Sequence, residues 1–205
     1  MRTHGWGGAT PASDDEAIER ILDAASAAIE ERGAAMRVVD VARTLEISRQ
    51  TVYNYFPGDS LLEAVATRSG LRYLESLAEH LRGITDPVDA LVESFAYTLE
   101  WLPNDKPVQL MLANDLGRTS NEVTSDMAKQ FGHGILAGLD VDWKALGFDD
   151  EGIDDLVEYM LRMLQSFMID PGRPARTGKA LRSYVRRWLG PVVTSEIARH
   201  HGAGR

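Results

Sequence analysis

The stretch Arg37–Phe56, RVVDVARTLEISRQTVYNYF, leaves this chain little freedom in how it folds. In its first half Val38, Val41, Ala42 and Leu45 recur at three- and four-residue steps, which puts one buried stripe on a short helix. Asp40, Arg43 and Thr44 are expected on the wet side of that helix. In the second half Ser48 is a good N-cap, because its hydroxyl can accept from the orphan backbone N–H groups of a first turn. A second helix over Arg49–Tyr55 follows, with Ile47, Val52 and Phe56 on its buried side. Arg49, Gln50, Thr51, Tyr53, Asn54 and Tyr55 then share the outer surface, which is rich in hydrogen-bonding groups and almost without acid. Two short helices across a tight turn, with the second one so dressed, suit a DNA groove.

The same helical spacing runs through the rest of the chain, with no convincing strand and no internal repeat. Ser13 with Glu16 reads as a capping box opening a helix through Ile18, Ile21, Leu22, Ala25 and Ile29, stopped at Gly33. Ser60 with Glu63 reads as another, at the head of a long helix from Leu61 to Leu81. Further helices are expected over Pro87–Leu102, Pro107–Leu116, from the cap at Thr119–Glu122 to Leu139, from Asp149 to Met168, and from Ala180 to Ile197. Gly132, Gly134 and Gly138 each cost about 1 kcal/mol in a helix relative to Ala, so either the helix breaks near Gly132 or another element packs very close there. Gly190 and Pro191 are expected to bend or interrupt the last helix. The fold class is therefore all-α. Residues 1–12, rich in Gly, read as a flexible tail.

A formal net charge of −9 and a pI near 5.0 argue against sequence-blind binding of nucleic acid over the whole surface, while leaving room for a local reading face. The chain has no Cys, which excludes disulfides and thiolate chemistry. Neither an apolar signal core nor an apolar run long enough for a bilayer is present, so a cytoplasmic protein with no membrane partner is expected.

Five pieces in fixed order carry a resemblance to the tetracycline-repressor (TetR) family of transcriptional regulators: ILDAA at Ile21–Ala25, Gly33, DVA at Asp40–Ala42, SRQTVYNYF at Ser48–Phe56 and LLEAV at Leu61–Val65. The resemblance implies an N-terminal three-helix helix-turn-helix DNA-binding domain over 13–58 and a helical effector-binding and dimerisation domain over 59–200. It implies a homodimer through the two C-terminal helices, a palindromic operator, and release by a small-molecule effector. Carried over by position, Arg49, Gln50, Thr51 and Asn54 are base-edge readers, and Arg37, Ser48, Tyr53 and Tyr55 hold phosphates. The chain departs from the family pattern at four places. Glu46 stands where the family has Gly at the turn, so it must take a left-handed conformation at roughly 1 kcal/mol or reshape the turn. Arg37 replaces the family's Thr and Tyr55 its His, and Asp59 lies where a Lys is expected.

Other chemistry is missing. The chain has no Gly-x-Ser-x-Gly nucleophile motif and no His-Glu-x-x-His helix, and its five His are scattered, so no catalytic residue, metal ligand or cofactor is expected. Tyr97 and Trp101 lie off the apolar stripe of their helix, which suits either core packing or a ligand cavity. The candidate effector-binding residues are Phe95, Leu99, Trp101, Met111, Asp115, Tyr159, Met163 and Phe167. The competing reading is a helical small-molecule enzyme or carrier that retains a degenerate helix-turn-helix.

Overall fold

A computed structural model describes residues 6, 10–110 and 126–203, and among these the regular elements are all helical. They group into two compact units, with the division falling inside one long helix between Leu71 and Arg72. The first unit also takes in the described residues from Asp105 to 110, and the second takes in Arg72–Asn104 and 126–203.

In the first unit α1 spans Asp14–Arg32, α2 Val38–Thr44 and α3 Arg49–Tyr55, followed by the opening turns of α4, Ser60–His80. The expected start of α1 is present: Glu16 N–H donates to the Ser13 hydroxyl at 3.2 Å. The Glu16 carboxylate reaches one residue further back and accepts from Ala12 N–H at 2.6 Å. Ile21, Ile29, Val41, Val52 and Val65 are almost wholly buried together, so one small core fixes the angle between α2 and α3. Arg68 of α4 clamps α1 from outside, donating to Asp23 at 2.9 Å, Glu19 at 3.1 Å and the Ser26 hydroxyl at 2.9 Å. Residues 106–110 are helical, and Leu110 packs against this same core.

Three local expectations need correction here. Asp40 is buried and does not face water, because its carboxylate turns back to accept from Arg37 N–H at 3.1 Å and pairs with Arg32 at 3.0 Å and Arg43 at 3.4 Å. Ser60 does not cap α4; it is the first helical residue, and its buried hydroxyl has no partner among the described residues. The flexible tail does not extend to Trp6, which is buried in the core of this unit.

The second unit contains the end of α4, then α5, Pro87–Trp101, α6, Asp126–Ala137, α7, Asp150–Ile169, and α8, Gly178–Ala203. Asp86 caps α5 by accepting from Asp89 N–H at 2.8 Å, and Asp149 caps α7 by accepting from Gly152 N–H at 2.9 Å. Tyr73, Leu77, Leu91, Leu181, Val185 and Leu189 form the centre of its core. The alternatives at Gly132 resolve in favour of close packing. α6 runs unbroken through it, and a Cβ there would lie 2.6 Å from Val157 Cγ1 of α7. α8 likewise continues through Pro191, since Leu189 and Val193 on either side of the proline are both buried and their packing offsets the missing backbone bond. The expected cap at Thr119–Glu122, most of the Pro107–Leu116 helix, and the effector candidates Met111 and Asp115 lie outside the described residues.

Candidate nucleic-acid interface and interior cavity

The candidate reading face is built from the turn at Glu46. Its backbone takes φ 53°, so of the two alternatives at this position the left-handed conformation is the one adopted. Ile47 N–H donates to Ala42 O at 2.9 Å, closing the turn and setting Ser48 at the start of α3. Ser48 accepts from Thr51 N–H at 3.0 Å, and its hydroxyl also meets the Thr51 hydroxyl at 2.9 Å. With Val52 and Phe56 buried, helical geometry turns Arg49, Gln50, Tyr53 and Asn54 outward, and all four are exposed. Gln50 Nε2 donates to Asn54 Oδ1 at 3.2 Å, aligning two amides one turn apart on that face. Arg49 is the only charged residue of α3.

Not every carried-over residue sits alike. Thr51 and Tyr55 are half-buried, and the Tyr55 hydroxyl donates to Asp14 Oδ1 at 2.9 Å. Arg37 is exposed at the N-cap of α2, where its backbone N–H is satisfied by Asp40. The Asp14 and Asp40 contacts were not foreseen, and the only trace of them in the sequence is the preference for acids in the first turn of a helix.

The second unit has a partly open cavity of about 60 Å³ between α5, α6 and α7. Of the effector candidates, Phe95 lines it. Trp101 instead packs on Tyr73, with ring centroids 4.3 Å apart, in a cluster that also holds Tyr97 and Phe131. Phe167 stands edge-on to Phe95 at 5.5 Å and to Tyr184 at 5.8 Å. Leu99 and Met163 pack against the core without reaching the cavity lining, and Tyr159 is 42 % exposed. Ile135, Leu136, Met160, Leu161 and Leu164 also line the cavity, and none of them was an effector candidate from the sequence. A wall built from core stripes looks the same in a sequence as a filled core.

Around this core, Arg182 of α8 holds α5 by donating to both oxygens of Glu93 at 2.6 Å and to Glu100 at 2.8 Å. These bonds from Arg182, helped by one from His80, hold the Glu93 carboxyl down at about 2, against an ordinary 4.5. Burial pushes the Tyr73 phenol well above its usual range, while its hydroxyl meets Thr98 Oγ1 at 2.5 Å.

A short helix capped by Ser48 and turned outward on a compact three-helix core is the arrangement of a helix-turn-helix DNA-binding protein. Residues 21–65 match the family described as bacterial regulatory proteins, tetR family. Over these residues the chain is similar to the DNA-binding segment of that family. No curated protein matches it. Among solved structures, a TetR-like transcriptional regulator from Rhodococcus sp. RHA1 is similar at 18 % identity and a TM-score of 0.46, over 91 % of this chain and 96 % of that one. Among the described residues no helix is long and apolar enough to cross a membrane.

Proposed function

We propose that the protein is a non-enzymatic, cytoplasmic repressor that binds a palindromic operator as a homodimer and leaves it when a small molecule enters the second unit. The observation that carries this reading is the outward set Arg49, Gln50, Tyr53 and Asn54 on a helix whose opposite side, Val52 and Phe56, is buried. In it, Arg49, Gln50, Thr51 and Asn54 read base edges, while Arg37, Ser48 and Tyr53 set the register on phosphates. Tyr55 joins the phosphate contacts on release from Asp14.

Two recognition helices reading one palindrome must lie about one DNA turn apart, ~34 Å, which calls for a paired scaffold. α8 supplies a surface for pairing: Tyr184, Trp188 and Val192 follow at four-residue steps and are 36 %, 60 % and 52 % exposed. α7 adds exposed Met168 and Ile169. The effector acts only if it prefers the arrangement in which the two heads no longer match successive grooves.

A gel shift with the DNA upstream of the chain's own gene, at two salt concentrations, tests the reading. Retarded DNA that survives competition by unrelated DNA is the expected result. Absence of any sequence-dependent shift sinks it and favours a helical carrier or enzyme.

A further inference from the structure

We infer that the cavity between α5, α6 and α7 takes a compact, uncharged, apolar molecule of single-ring size, and that it must widen to do so. This rests on the ligand-released reading above and gives the effector a chemical class.

The chemistry of the wall sets the class. Phe95, Phe131, Ile135, Met160, Leu161 and Leu164 supply most of it, and no ionisable side chain is among the described residues that line it. Two hydroxyls, those of Ser94 and Thr98, belong to lining residues, and both are already committed: Ser94 donates to Leu91 O at 3.0 Å and Thr98 to Ser94 O at 2.7 Å. A carboxylate or ammonium placed against these residues would lose its hydration and gain no charged partner from them, which favours an uncharged guest. Water is also poorly served along this apolar wall, because an ordered water there needs two to four polar partners. Two phenyl rings on the wall favour a planar apolar guest, which can meet them edge-on or offset.

Size supplies the second half of the inference. A dry apolar cavity of about 150 Å³ accepts benzene, and this one has about 60 Å³. A ring therefore fits within it only if the wall moves. The seam between α6 and α7 is already as tight as it can be at Gly132, where Val157 Cγ1 would lie 2.6 Å from a Cβ. Accommodation must come from outward movement of α5, α6 or α7, or from new rotamers of the unbranched Met160 and its leucine neighbours. A guest that fits only the widened form binds the two forms unequally, which is the thermodynamic condition for shifting a regulator between states.

The test uses the full chain and two sets of probes: benzene and toluene against benzoate and benzylammonium. Thermal unfolding and tryptophan fluorescence are followed across a concentration series. A saturable rise in Tm of a few degrees with the neutral rings, and none with the charged ones, is expected. Leu164→Ala, which enlarges the cavity, should bind benzene several-fold more tightly, and Leu164→Phe, which fills it, should not bind. If Leu164→Phe fails to fold, Leu164→Ala still decides the matter. No saturable binding of either neutral ring to the natural chain and to Leu164→Ala overturns the inference, as does equal binding of the charged probes. An operator gel shift on the same preparation separates the two readings. DNA bound without ring binding removes only this inference, and rings bound without DNA binding removes the regulator and leaves the site.

Discussion

Tyr55, in the last turn of α3, donates its hydroxyl to Asp14 in the first turn of α1 at 2.9 Å. The bond joins residues 41 positions apart and pins the far end of α3, whose near end is held by the turn at Glu46. Loss of a solvent-exposed bond of this kind costs about 0.5 to 1 kcal/mol. Tyr55→Phe should therefore lower stability by that amount in urea unfolding. If the hydroxyl also leaves Asp14 for a phosphate in the complex, the same variant weakens operator and non-operator DNA alike, as read by fluorescence anisotropy.

Glu46 holds φ 53°, where a side chain is strained and glycine is not. Glu46→Gly should stabilise the protein by roughly 0.5 to 1 kcal/mol, the relief of strain being partly offset by the greater freedom of glycine in the unfolded chain. The denaturation midpoint checks it. A lower midpoint would show that the Glu46 side chain contributes a contact larger than the strain.

Arg49 and Tyr53 are both exposed on the same helix but should behave differently. Arg49→Ala should cost about 1 to 3 kcal/mol on the operator and relax preference at a single base pair, whereas Tyr53→Phe should weaken all sequences alike. Titrations against the operator and its point-substituted forms distinguish the two. Equal loss from Arg49→Ala on every sequence would make it a phosphate contact.

Glu93 gives a prediction in pH. Its folded-state pKa, about 2, lies below the ordinary 4.5, so the charged form favours folding. The contribution is complete above about pH 4.5 and is lost as pH falls toward about 2. Because the pair with Arg182 is partly solvated, Glu93→Gln should cost only about 1 to 2 kcal/mol at neutral pH and flatten the acid limb of the stability curve. Urea midpoints between pH 2 and pH 7 measure both effects.

Trp188, 60 % exposed at the centre of the α8 stripe, is the natural anchor of a paired scaffold. Trp188→Glu should convert the proposed dimer to monomer in sedimentation equilibrium and abolish operator binding while leaving the α3 face intact. A monomeric natural chain would remove the basis for this expectation.

The local code was largely legible. The periodicity of Val38, Val41 and Ala42, the cap at Ser48, the extent of α3 and the strained Glu46 all follow from rules that act over a few residues, and the structure shows each of them. What the sequence left open was which neighbour, distant along the chain, would meet a given side chain. Asp40 is polar by type and buried by arrangement, because Arg32 and Arg43 converge on it and replace its water. Gly132 permits either a break or a close approach, and only the arrival of Val157 chose between them. Apolar spacing assigned Leu161 and Leu164 an inward face, but whether that face meets another side chain or an empty space depends on how three helices pack. Backbone hydrogen bonds and capping are decided within a turn, whereas volume left unfilled is a property of the assembled helices, and so the outward face of α3 was visible in the sequence and the cavity was not.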